Sequence, residues 1–164
     1  MMSEKSLVAK PPSGWLRLML RLPILLYRLK LGWLLGERFV LLNHLGRKTG
    51  QVHQTVVEII GHNAAQDTYY IVSGWGYKAN WYQNLLARPN ITVQIGRHQR
   101  AIRAETLTPS AGVQVLLDYR KHHPLASREL SRLMGIDLSA ASSEALQKIV
   151  QESLPIVVLR PLQA

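Results

Sequence analysis

Two glycines bracket two cations and a hydroxyl in Gly46-Arg47-Lys48-Thr49-Gly50. Glycine tolerates positive φ, so a bend of this kind can turn successive backbone N–H groups toward one anion. Arg47 can grip a phosphate with two parallel hydrogen bonds, Lys48 adds a compact charge, and Thr49 offers a hydroxyl. The same five residues also make an ordinary basic hairpin turn. They do not fit the Gly-x-x-x-x-Gly-Lys-Ser/Thr phosphate loop. Lys48-Thr49-Gly50 lacks the Ser-x-x-Lys and Ser-Asp-Asn companions of a β-lactamase site.

A second segment runs from Ser73-Gly74-Trp75-Gly76 through Asn80-Trp81-Tyr82-Gln83-Asn84. Its small residues let a ring or phosphate approach the backbone, and the helix that follows presents its amino end to anions. Trp75 and Trp81 could cover a flat aromatic cofactor or simply fill core. No His-Glu-x-x-His and no histidine–carboxylate set at ligand spacing occurs. The chain has no cysteine, which excludes disulfides, thiolate metal sites and cysteine nucleophiles. His122-His123 before Pro124 reads as a helix end.

These residues need elements to hold them. Residues 1–13 read as a flexible lead and 14–36 as leucine-rich helical segments, with Pro23 dividing them into two pieces. Arg17, Arg21 and Arg28 fall on one stripe, and Trp15 and Trp33 stand near the ends. This is either a helix pair packed on the domain or an interfacial helix on an anionic membrane. From residue 37 the texture turns to β. Runs at Phe39–Leu45, Val52–Ile60, Thr68–Ser73, Ile91–Ile95, Arg100–Leu107 and Leu154–Leu159 read as strands. Gly96-Arg97-His98 reads as a turn-like link. Helices are expected at 79–87, from Thr108-Pro109 to His122, at 127–134 and at 142–152. The expected class is α+β: a six-stranded, mostly antiparallel barrel over 37–164, with N-terminal helices and a helical insertion before the last strand.

The set Gly46-Arg47-Lys48-Thr49-Gly50, Val72-Ser73-Gly74-Trp75-Gly76 and Asn80-Trp81-Tyr82-Gln83-Asn84-Leu85-Leu86-Ala87-Arg88-Pro89, closed by Leu154–Leu159, resembles the deazaflavin-dependent nitroreductase family. The resemblance covers roughly residues 30–160. It implies a split β-barrel of the FMN-binding type. It also implies use of the reduced 8-hydroxy-5-deazaflavin coenzyme (F-420) as hydride donor to a small electron-poor acceptor, with FMN as the alternative cofactor. Carried over, Arg47, Lys48 and Thr49 would hold the coenzyme phosphate and acidic tail, and His53 stands where many relatives have arginine. Gln54, Thr55 and Val56 would line the ring side. Ile71, Val72, Ser73 and Gly74 would frame the deazaflavin, with Gly74 where some relatives carry lysine. Asn80, Trp81, Tyr82, Gln83 and Asn84 would complete the groove. Tyr82 and Tyr119 are the candidates to steer or protonate the acceptor, which the apolar N-terminal segment suggests is lipophilic: a quinone, a nitro compound or an enone. No metal is implied.

Composition agrees. The 164 residues are 47% hydrophobic and 18% charged, enough for a packed core and against a disordered chain. The net charge of +10 suits a polyanionic partner: coenzyme, anionic lipid or nucleic acid. Nucleic acid ranks last, because the positive charge is scattered and the aromatics gather at a glycine turn. With Arg and Lys breaking the apolar N-terminal stretch, no spanning helix is expected. The expectation is a cytoplasmic protein, monomeric or homodimeric, with residues 14–36 available to touch a membrane.

Overall fold

Alternating apolar runs dominate residues 39–107, and in the computed structural model, which describes residues 22–29 and 32–163, they form strands of one closed sheet. The strands are β1 (Phe39–Leu45), β2 (Val52–Asn63), β3 (Thr68–Val72), β4 (Asn90–Ile95), β5 (His98–Thr106) and β6 (Ile156–Pro161). Their order around the barrel is β1-β2-β3-β6-β5-β4, and every pair is antiparallel. The helices are α1 (Leu22–Arg28), α2 (Asn80–Ala87), α3 (Pro109–His122), α4 (Pro124–Met134) and α5 (Ser143–Glu152), with short 3-10 turns at Gly32–Leu35 and Gly76–Lys78. This is the expected α+β split barrel. The expected lead 1–13, together with Trp15, Arg17 and Arg21, lies outside the described residues. Among the described residues no helix is long and apolar enough to cross a membrane.

The alternation of side chains along a strand divides the core in two. Val40, Leu42, Ile71, Val93, Val157 and Leu159 share the cluster inside the barrel. Ile60, Val72 and Ile156 meet Val113, Leu116, Leu146 and Val150 of α3 and α5 in a second cluster outside it. Strand β6 is covered on both faces, which is why its sequence is an unbroken apolar run. Helix α3 lies close on that strand at Gly112, where an added Cβ would stand 3.0 Å from Ile156 Cγ1 and 3.1 Å from Val150 Cγ1. Thr108 Oγ1 caps α3 by accepting from the Ala111 N–H, ahead of Pro109 in the first turn.

Several boundaries depart from the sequence reading: β2 runs on to Asn63, β3 stops at Val72, and β6 is shifted to Ile156–Pro161. Ile95 pairs with His98, so Gly96-Arg97 alone forms the β4–β5 turn and β5 starts at His98 rather than Arg100. Gly96 takes φ +56 there, as a two-residue hairpin turn requires. Pro124 does not only end α3 but opens α4, a position where its missing N–H costs nothing.

Candidate functional site

The β1–β2 hairpin and the first turns of α2 enclose a groove of about 490 Å³ at the mouth of the barrel. The hairpin is tight: the Gly46 N–H donates to Gln51 O and the Gly50 N–H to Gly46 O, both at 2.8 Å. Gly50 has φ +69. A Cβ on Gly46 would lie 2.7 Å from Thr49 Oγ1 and 3.0 Å from His53 Nε2, so only glycine fits. The Arg47 N–H donates to Asn84 Oδ1 at 3.1 Å. The N–H groups of Gly46, Arg47 and Gly50 are thus engaged inside the protein, and the side chains of Arg47 and Lys48 are exposed at the bend. Arg88, at the end of α2, adds a third cation: its Nη1 lies 3.9 Å from where a Cβ on Gly50 would stand.

The Arg47 side chain is anchored on α2. Its Nη1 donates to Asn84 Oδ1 at 3.1 Å and its Nη2 to Asn80 Oδ1 at 3.5 Å. The Asn84 amide oxygen thus accepts twice from Arg47, which leaves Nδ2 to face His44 Nδ1 at 3.1 Å. That fixes the imidazole: Nδ1 accepts, so Nε2 carries the proton and donates to Thr55 Oγ1 at 3.1 Å. His44 is 3% exposed and its ring stacks on His53, centroids 5.9 Å apart. Burial, and secondarily the charge of His53, lower its pKa to about 4. Below pH 6.5 the unfolded chain takes up a proton that folded His44 refuses, so this group withdraws stability as pH falls from 6.5 toward about 4.

The far wall is aromatic. Trp75 and Trp81 both line the groove. Trp81 is 6% exposed, and its indole Nε1 is buried with no hydrogen-bond partner. Among the described residues no carboxylate lines the groove.

Of the residues singled out in the sequence, Arg47, Lys48, Thr49, His53, Gln54, Thr55, Asn80, Trp81 and Asn84 come together here. Others do not. Ile71 is in the barrel core and Val72 in the outer cluster. Ser73 is fully buried; its N–H donates to Pro155 O and its hydroxyl to Gly76 O at 2.7 Å. A Cβ on Gly74 would meet Met134 Sδ at 3.4 Å. The serine–glycine corner therefore joins β3 to β6 and α4, and serves the groove only through Trp75. Val56 is half-buried on β2 opposite Leu41. Gln83 Nε2 donates to Tyr77 O at 2.6 Å, holding α2 to the preceding turn.

The two tyrosines are corrections. Tyr82 is a core residue whose hydroxyl pairs with Thr106 Oγ1 at 2.8 Å. Tyr119 lines a separate cavity of about 640 Å³ between β2 and α3, which shares no residue with the groove. Its hydroxyl donates to Glu58 Oε1 at 3.1 Å, and burial and the neighbouring carboxylate push its pKa up, so it holds its proton. Helix α3 packs on the outside of the barrel, whereas the groove is at its mouth. Sequence reasoning passed over His44, whose signal is a histidine at an inward β1 position in step with Val40 and Leu42. It also passed over Arg88 as a cation, whereas Trp75, named there as a possible cover for a flat ring, does line the groove.

Among the described residues no cluster of three or more histidines and carboxylates could hold a metal. Residues 28–161 match a family model described as F420H2-dependent quinone reductase. No curated protein matches the chain. The fold is similar to that of a solved F420-H2-dependent reductase, with a TM-score of 0.51 and 17% identity over 76% of this chain and 96% of that one. It is also similar to a structure described as a domain-swapped dimer, with a TM-score of 0.52 and 17% identity over 84% of this chain and 99% of the other. A conserved hypothetical protein from Mycobacterium tuberculosis shows a TM-score of 0.50 and 11% identity over 99% and 87%.

Proposed function

Because the chain belongs to the F420H2-dependent quinone reductase family, we propose that the barrel-mouth groove binds coenzyme F-420 and that the acceptor reduced there is a quinone. The observation that carries this reading is the groove itself: two exposed cations at one wall, two indoles at another, and no carboxylate among its lining. Such a lining suits a flat ring attached to a phosphate and an acidic tail.

When bound, the reduced deazaflavin supplies the hydride. The protein supplies position. Arg47 and Lys48 would hold the phosphate, with Arg88 near enough to share the acidic tail. Trp75 and Trp81 would face the ring and exclude water from one side. The hairpin and α2, joined through Arg47, Asn80 and Asn84, fix these groups relative to one another, and alignment of donor and acceptor carbons is the main demand of hydride transfer.

The test is a parallel titration of the protein with F-420 and with FMN, followed by addition of menadione to protein charged with reduced F-420. Tighter binding of F-420 and recovery of its oxidised absorbance on quinone addition are expected. FMN binding without F-420 binding would overturn the cofactor assignment. Binding of reduced F-420 with no oxidation by any quinone would overturn the acceptor.

A quinone is lipophilic, and this reading takes it from a membrane. Leu25, Leu29 and Leu34, on and just after α1, are 50%, 60% and 57% exposed, and Arg28 of the same helix donates from Nε to Gln54 Oε1 at 3.1 Å, which ties α1 to β2. Replacing all three leucines by glutamine is expected to lower cosedimentation with anionic vesicles while leaving F-420 binding in solution intact. Equal sedimentation would remove the membrane from the reading.

A further inference from the structure

Three of the four hydrogen-bonding positions of the Asn84 amide are taken by protein: two bonds from Arg47 to its oxygen, one from its nitrogen to His44. It is 5% exposed. A side chain so engaged has little left for a ligand. We infer that Asn84 is a positioning residue which, oriented by His44 and Thr55, sets where the Arg47 guanidinium is presented to an anion in the groove. This inference rests on the reading of the groove as the F-420 site.

An asparagine amide can be turned either way, and the two ends are opposite in hydrogen-bonding sense. With oxygen toward Arg47 it binds the guanidinium; turned over, it would aim N–H groups at N–H groups. The working orientation is held from both ends: the Arg47 backbone N–H takes the oxygen, and the lone pair on His44 Nδ1 takes the nitrogen. At the far end of the ring, Nε2–H donates to Thr55 Oγ1. The relay crosses three elements: hairpin, α2 and the β1–β2 pair. The groups around His44 that carry or take up charge are His53, stacked on it across the hairpin, and Arg47, reached through Asn84. Burial first, and then His53, disfavour a protonated His44 and lower its pKa to about 4. At neutral pH the imidazole is therefore uncharged and Nδ1 keeps its lone pair for Asn84.

Asn84→Asp tests this. A carboxylate at the same place accepts from Arg47 but cannot donate to Nδ1; His44 then gains from taking a proton. In the full-length variant the His44 titration followed by NMR is expected to rise from about 4 by about one to three pH units. F-420 affinity is expected to fall at least tenfold, because the carboxylate neutralises Arg47. An unmoved His44 titration would overturn the relay, since a merely space-filling Asn84 predicts that result. A raised titration with unchanged F-420 affinity would overturn the claim that Asn84 acts through Arg47. If the wild type binds no F-420, the functional reading falls, and the relay is then decided by the titration alone.

A second variant covers the case in which Asn84→Asp fails to fold. In Thr55→Val the Asn84 Nδ2–H still faces Nδ1, so His44 is expected to keep a single Nε2–H tautomer in nitrogen-15 spectra. An Nδ1–H or mixed population in that variant would overturn the relay.

Discussion

Replacing Arg47 and Lys48 together by alanine is expected to weaken F-420 binding by at least tenfold, about 1.4 kcal/mol or more. Both side chains are exposed at the lip of the groove, and no acid lines the groove to neutralise them. A hydrogen bond to a charged partner contributes about 1.5–3 kcal/mol, so the pair carries a large part of the affinity for a phosphate. The change should also flatten the salt dependence of binding, because exposed charges are what salt screens. A fluorescence titration at low and physiological ionic strength measures both. Arg132→Ala serves as the control: it removes one positive charge from an exposed pair with Glu129 on α4. Equal affinity in the double variant would put the phosphate elsewhere.

The second large effect is expected from Gly46→Ala. The added methyl group would meet Thr49 Oγ1 at 2.7 Å and His53 Nε2 at 3.0 Å, both too close. Thr49 cannot simply swing away without giving up the bond its hydroxyl accepts from the Gln51 N–H at 3.3 Å. Inserting a methyl where none fits costs about 1–3 kcal/mol. Here the cost falls on the hairpin that carries both cations, so coenzyme affinity should drop with thermal stability. Adding Thr49→Ala removes the nearest clash and is expected to return part of both. Denaturation and titration of the single and double variants measure this; a Gly46→Ala protein with wild-type midpoint and affinity would show that the hairpin has slack.

The legibility of the molecule in its sequence varies with the kind of constraint. The cationic hairpin is readable because its glycines mark the turn and its charges have nowhere to go but outward. The barrel is readable because Ile91, Val93 and Ile95 alternate with polar residues, and because Leu154–Leu159 is apolar on both sides. Ser73-Gly74 misleads for a physical reason. A small residue at a strand end reads as room for a ligand, but here it is room for protein: Ser73 donates to Pro155 and Gly74 faces Met134. Tyr119 misleads because its distance along the chain says nothing about which side of the barrel α3 covers. His44 is hidden because its role depends on Asn84, forty residues away, and on which end of an amide points where. Pairings of that kind exist only once α2 has folded against β1.

The strand order has a consequence for biogenesis. Strand β6 is inserted between β3 and β5, yet it is made after every other strand. Until the ribosome has released residues 156–161, a nascent chain with five strands formed has two bare sheet margins, and the apolar residues destined for both sides of the missing strand are uncovered. Unpaired margins of this sort recruit other chains. A folding intermediate that lacks only β6 therefore carries both margins at once, and a chain interrupted before residue 156 would be primed to aggregate.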